Sequence, residues 1–156
     1  NDNLMMFFTG FTRFSSDVQK ANAGTKETQE AKEKRYLEML SLVDKAEQIL
    51  TDKNTDLDNF GRLLDHTWKL KKQTGSAVST NSIDALYEKG MQAGALGGKL
   101  LGAGGGGFLV FYVQPEYQEA VKEAMKELMY IPFRFEDGGT RVIHYTPETY
   151  VPLEDK

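Results

Sequence analysis

Apolar and polar positions fall in blocks along this chain, and each block has its own period. Leu4-Met5-Met6-Phe7-Phe8 is an unbroken apolar run closed by Thr9-Gly10, the pattern of a short buried strand. Phe11 to Thr25 is polar and irregular, with room for a short helix near Ser16 to Ala21. Glu27 to Leu50 reads as a long helix. Tyr36, Met39, Leu40, Val43, Ala46 and Leu50 recur on one face, and Lys34, Glu38, Lys45 and Gln48 fall opposite. Thr55-x-x-Asp58 has the form of a capping box, with Asp for the usual Glu, and opens a second helix that turns Leu57, Phe60, Leu64 and Trp68 inward. Lys69, Lys71 and Lys72 crowd its last turn, where cations suit the dipole, and Gly75 is a natural stop.

A third helix is expected from about Ser82 to Ala93, on a stripe of Ile83, Leu86, Tyr87 and Met91, with Thr80 or Asn81 as cap. Gly94 to Gly107 then holds eight glycines in fourteen residues, so regular helix ends there. Phe108-Leu-Val-Phe-Tyr-Val113 is a buried strand stopped by Gln114-Pro115. Tyr117, Val121, Ala124, Met125 and Leu128 mark a fourth helix. Phe133 to Glu136, Asp137-Gly-Gly139 and Thr140 to Tyr145 read as strand, turn and strand. With Gly98 to Gly102 as a strand, the glycine-rich tip closes a hairpin onto Phe108 to Val113. The order is then β-α-β-β-α-β: an α+β fold of the ferredoxin-like plait, with an antiparallel sheet and inserted helices in its first crossover.

Composition narrows the function. A length of 156 residues, 40% of them hydrophobic, suits one domain spanning 1–156 with a real core. A net charge of -4 argues against a nucleic-acid partner, because phosphate backbones reward clustered Lys and Arg. No Cys is present, so disulfides are excluded and a reduced, cytoplasmic setting is expected. With His66 and His144 as the only soft ligands, no metal site is expected. No apolar run approaches the roughly 20 residues of a membrane helix, and no membrane partner is expected. The start at Asn-Asp-Asn-Leu, which enters a strand within four residues, fits a domain excised from a longer protein.

The glycine segment carries the most chemistry. Gly102-x-Gly104-x-x-Gly107 matches a dinucleotide fingerprint in letters only, because that fingerprint leaves a strand and opens a helix, whereas here a strand follows. A Walker A loop fails too: Leu100 follows Gly98-Lys99, and Ala93 stands at the first Gly position. Consecutive glycines still let backbone N–H groups turn one way and approach an anion closely. A plain hairpin tip needs only one or two glycines, so so many of them point to binding or to close contact with another domain.

Gly97-Gly-Lys-Leu-Leu-Gly-Ala-Gly-Gly-Gly-Gly107 before an apolar strand resembles the third conserved motif of the galactokinase–homoserine kinase–mevalonate kinase–phosphomevalonate kinase (GHMP) superfamily. The extended form from Gly94-Ala-Leu is similar to the branch acting on the anomeric carbon of D-glycero-D-manno-heptose phosphates. Thr9-Gly-Phe-Thr-Arg13, Trp68-Lys-Leu-Lys71, Ser79 and Ile83-Asp84 also resemble that branch. The resemblance covers nearly the whole chain. It implies a C-terminal domain of an ATP- and magnesium-dependent sugar or sugar-phosphate kinase. The substrate- or phosphate-binding residues would be Thr9, Arg13, Lys99, Gly102, Gly104, Gly105, Gly106 and Gly107. The family's Pro-x-x-x-Gly-Leu-Gly-Ser-Ser-Ala nucleotide signature is absent from this chain. The resemblance therefore implies a partner N-terminal domain in the same protein, no catalytic residue here, and no cofactor bound or activity shown by this chain alone.

Several residues also have plain structural readings. Arg13 is a loop Arg or a bidentate contact for a sugar phosphate, and Lys99 is a hairpin Lys or a phosphate ligand. Trp68 belongs to the core, Lys69 and Lys71 to a helix end, and Asp84 to a helix first turn. Ser79 is a cap or a hydroxyl ligand. His66 and His144, lacking an acid–base partner at useful spacing, are structural. Two other classes compete with the kinase: a non-catalytic small-molecule-binding regulatory plait, and a protein-interaction domain built on the amphipathic helices, which leaves the glycines unexplained.

Overall fold

A computed structural model of the chain describes residues 2–10, 28–75, 78–102 and 105–145. Its elements run β1 (Leu4–Phe8), α1 (Gln29–Thr51), α2 (Asp58–Lys72), α3 (Asn81–Gln92), β2 (Ala95–Leu101), β3 (Phe108–Val113), a 3-10 turn (Pro115–Tyr117) leading into α4 (Gln118–Ala124), and β4 (Met129–Ile131). The expected helix near Ser16 lies outside the described residues. The sheet order is β2-β3-β1-β4 and every pairing is antiparallel. This is the ferredoxin-like plait, with α1 and α2 inserted ahead of the crossover helix α3. Among the described residues no helix is long and apolar enough to cross a membrane.

One sheet face carries the core. Met5 and Phe7 of β1 sit beside Leu109, Phe111 and Val113 of β3, under Ile83 and Tyr87 of α3 and Val121 of α4. Trp68 joins this core from α2 as expected, although its indole Nε1 finds no partner among the described residues. The core residues alternate along β1 and β3 because successive side chains point to opposite faces; on β2 a register shift between Ala95 and Gly97 breaks the alternation. Helix α2 comes close enough to β2 that a Cβ on Gly97 would lie 1.9 Å from the Gly61 carbonyl oxygen. Backbone therefore packs on backbone there, and only glycine fits.

Three local expectations are corrected here. On α1 the buried residue is Leu42, whereas Tyr36, Leu40, Val43 and Leu50 are exposed. The helix carries two adjoining apolar stripes, and α2 covers the one through Met39, Leu42 and Ala46, which faces Phe60, Leu63 and Leu64. The Thr55/Asp58 capping box does not form. The Thr55 hydroxyl donates to Asp52, and the Asp58 carboxylate instead accepts from the Tyr112 hydroxyl and the Gln114 amide on the β3 side. The hairpin strand begins at Ala95, because α3 stops at Gln92 and Gly94 turns the chain with φ +112°.

At the C-terminal end the expected strands at Phe133–Glu136 and Thr140–Tyr145 are not formed. Helix α4 ends at Ala124, earlier than its apolar pattern suggests, so the chain meets β1 sooner. Met129, Tyr130 and Ile131 then take the places opposite Phe8, Phe7 and Met6. Ile143, read as strand, is 92% exposed.

Candidate functional site

The glycine-rich tip is the turn of the β2–β3 hairpin, and hydrogen bonds with α2 and with two loops fasten it. At its start, Lys71 in the last turn of α2 donates from Nζ to the Gly102 carbonyl at 3.1 Å. In its middle, Gly105 N–H donates to the Val78 carbonyl at 3.1 Å, just before α3. At its end, Thr9 beyond β1 donates to the Gly107 carbonyl through both N–H and hydroxyl, each at 2.9 Å. The same hydroxyl accepts from Gly107 N–H at 3.2 Å.

Backbone conformation explains the composition. Gly102, Gly105 and Gly107 have φ of +96°, +72° and +112°, a region that side chains disfavour. Space is not the constraint at Gly102, where a Cβ would meet nothing within 4 Å. With the amides of Gly105 and Gly107 engaged in the tethers, Gly106 between them keeps an N–H that no described group accepts.

Charge gathers at the foot of this loop. Burial, and then the neighbouring Lys99 charge, push the Lys71 ammonium below its usual range. Lys99, half-buried on β2, has no carboxylate or hydrogen-bond partner among the described residues. At the next residue, Lys72, the charges are balanced: Asp84 Oδ1 takes both Lys72 Nζ and Ser79 Oγ at 3.0 Å. This network brings Ser79 and Asp84, which the sequence leaves as possible caps, under the loop. The cap itself is Thr80, whose hydroxyl accepts from Ile83 N–H at 3.3 Å.

The structure thus gathers Thr9, Lys99, Gly102, Gly105, Gly106 and Gly107 around one hairpin tip. Arg13 and Gly104 lie outside the described residues. Lys71 is the residue that sequence reading passed over, because a cation in a helix's last turn already has a sufficient local role. His66 does have a partner, Glu38 Oε1 at 3.2 Å on the adjacent helix, and both side chains are exposed. Asp65 accepts from Tyr87 and Lys69 and ties α2 to α3.

The arrangement suits an anion: fixed backbone, one amide without an acceptor among the described residues and two ammonium groups. Among the described residues no three His, Cys, Asp or Glu side chains converge on it.

Comparison with known proteins finds matches in both sequence and structure. The family model described as GHMP kinases C terminal matches residues 44–131. D-glycero-alpha-D-manno-heptose 7-phosphate kinase of Campylobacter jejuni is 26% identical over 139 residues, which are 88% of this chain and 40% of that protein. Mevalonate kinase of Thermococcus onnurineus is 32% identical over 153 residues, 92% of this chain and 44% of that protein. Among solved structures, L. major mevalonate kinase in complex with R-mevalonate superposes with a TM-score of 0.67 at 25% identity, covering 80% of this chain and 37% of that one. The chain spans about two-fifths of the length of these relatives.

Proposed function

Because this chain belongs to the GHMP kinases as a C-terminal domain, we propose that it is the C-terminal part of an ATP-dependent small-molecule kinase whose acceptor is a sugar phosphate, a heptose phosphate first among them. The observation that carries this reading is the glycine tip held by Lys71, Val78 and Thr9. Phosphoryl transfer asks a protein chiefly for positioning and charge stabilisation, and a loop shaped before its ligand arrives supplies positioning. In this reading the loop glycines, Gly104 included, line the phosphate side of the cleft. Lys99 adds charge, Thr9 holds the loop closed, and Arg13 contacts the acceptor's sugar or its phosphate. An N-terminal domain of the same protein supplies the nucleotide cradle and the magnesium ligands, and the enzyme works in the cytoplasm.

The heptose assignment leans on the likeness to the Campylobacter jejuni protein and on the Gly94-Ala-Leu extension. Mevalonate is the second acceptor to consider, because the Thermococcus onnurineus mevalonate kinase is the more identical of the two relatives. The test is an assay of the full-length protein with ATP and magnesium against D-glycero-D-manno-heptose 7-phosphate, mevalonate and neutral sugars. Turnover highest with the heptose phosphate is expected, and none with the present chain alone. Turnover with mevalonate only would replace the acceptor. Turnover with none of them, or by this chain alone, would overturn the reading.

A further inference from the structure

We propose that Lys71 and Lys99 form a two-cation seat for a phosphate monoester at the foot of the glycine loop, and that the group seated there belongs to the acceptor substrate. The second half rests on the kinase reading above; the seat itself does not.

The case begins with which lysines are neutralised. Around the site Lys69 is 2.6 Å from Asp65, Lys72 is 3.0 Å from Asp84, and Lys89 is 3.7 Å from Glu127. Lys122 on α4 and Lys126 just beyond its end each lie 2.6 Å from a glutamate. Among the described residues, Lys71 and Lys99 alone of the lysines on α2, α3, α4 and β2 have no carboxylate partner, in a chain whose acidic residues outnumber its basic ones, 23 to 19. Two half-buried like charges repel, and an interior of low dielectric makes that costly unless a counter-ion joins them.

Geometry gives the seat its direction. Lys71 Nζ is turned to the Gly102 carbonyl, at the turn where β2 leaves the sheet, and the space beside Gly102 is open. The other charged groups nearby, Lys72 and Asp84, engage one another and Ser79. An anion between the two ammonium groups would relieve their repulsion and gain charge-assisted hydrogen bonds. A dianionic phosphate monoester matches two cations better than a carboxylate does.

The first arm uses this chain and inorganic phosphate, followed by amide chemical shifts. Phosphate is expected to move the amides of Lys99, Gly102 and Gly106. Lys71→Met and Lys99→Met are each expected to weaken binding by at least about tenfold. Lys69→Met, which removes a paired lysine, should leave binding unchanged. Lys71→Met also removes the bond to Gly102, so Lys99→Met, which breaks no side-chain hydrogen bond or ion pair among the described residues, separates charge from loop support. No phosphate-dependent shift at these amides, or wild-type binding by Lys99→Met, overturns the seat.

The second arm uses the full-length kinase. Lys99→Met is expected to raise the KM for the phosphorylated acceptor about tenfold while the KM for ATP stays put. A rise for ATP in place of the acceptor overturns the acceptor assignment. A full-length protein without kinase activity would sink the functional reading while the first arm still decides the seat.

Discussion

At the scale of single residues, the glycines divide into two kinds that a substitution can tell apart. Gly97 is constrained by space and Gly102 by φ. A methyl on Gly97 would be driven into the Gly61 carbonyl, which is backbone and cannot swing away. Gly97→Ala is expected to cost at least the upper part of the ~1–3 kcal/mol typical of overpacking, because α2 and β2 must separate. Gly102→Ala meets open space and should cost only about 1–2 kcal/mol for its left-handed backbone, leaving the fold intact. Thermal melting ranks the pair, and a Gly102 variant melting below the Gly97 variant would contradict the distinction.

Tyr112 makes a second residue-scale prediction. Burial first, and then donation to Asp58, push its pKa up to about 12. An unfolded phenol titrates near ~10, so the fold holds this proton more tightly. The stability it contributes is intact below pH ~10 and is lost as the pH rises from there through about 12. Chemical denaturation over that window should therefore show a steeper loss for the wild type than for Tyr112→Phe, and equal slopes would refute it. Neither partner of Tyr112 was legible in the sequence, because Asn3 and Asp58 lie 109 and 54 residues away.

At the scale of elements, periodicity found α1 but did not choose its buried face. Ten apolar side chains on 23 residues make a surface broader than one neighbour can cover, and only the packing of α2 decides which stripe is inside. Leu42→Ala is expected to destabilise by about 2–3 kcal/mol. Leu40→Lys, at a side chain 64% exposed, should change stability by no more than about 0.5 kcal/mol in this chain. Urea midpoints compare the two, and the reverse ranking would restore the face through Tyr36, Leu40 and Val43. The failed capping box has a similar cause: a motif of local spacing yields when its carboxylate finds distant donors, here Tyr112 and Gln114. β4 was misplaced because a three-residue strand carries too little pattern to compete with the richer apolar stretch after it. The glycine hairpin was legible, since no helix tolerates that composition, but its fastening was not. Lys71, Val78 and Thr9 reach it from three separate parts of the chain.

At the scale of the molecule, the order β2-β3-β1-β4 puts the first strand in the interior of the sheet. The plait was readable because alternating blocks of period two and period 3.6 leave few ways to close one sheet. What the topology adds concerns time. Leu4 to Phe8 pair with residues 108–112 on one side and 129–131 on the other. During synthesis at roughly 5–20 residues per second, this apolar pentapeptide waits roughly 5–20 seconds for its first strand partner. Throughout that interval it is a short, uncharged, strand-prone segment with both edges open, the kind that pairs with a neighbouring chain. Chaperone demand and inclusion-body formation should thus concentrate on residues 4–8. Placing a lysine at Met6, whose side chain leaves the core face, should raise soluble yield more than it lowers stability; a fall in soluble yield would show that another segment governs aggregation.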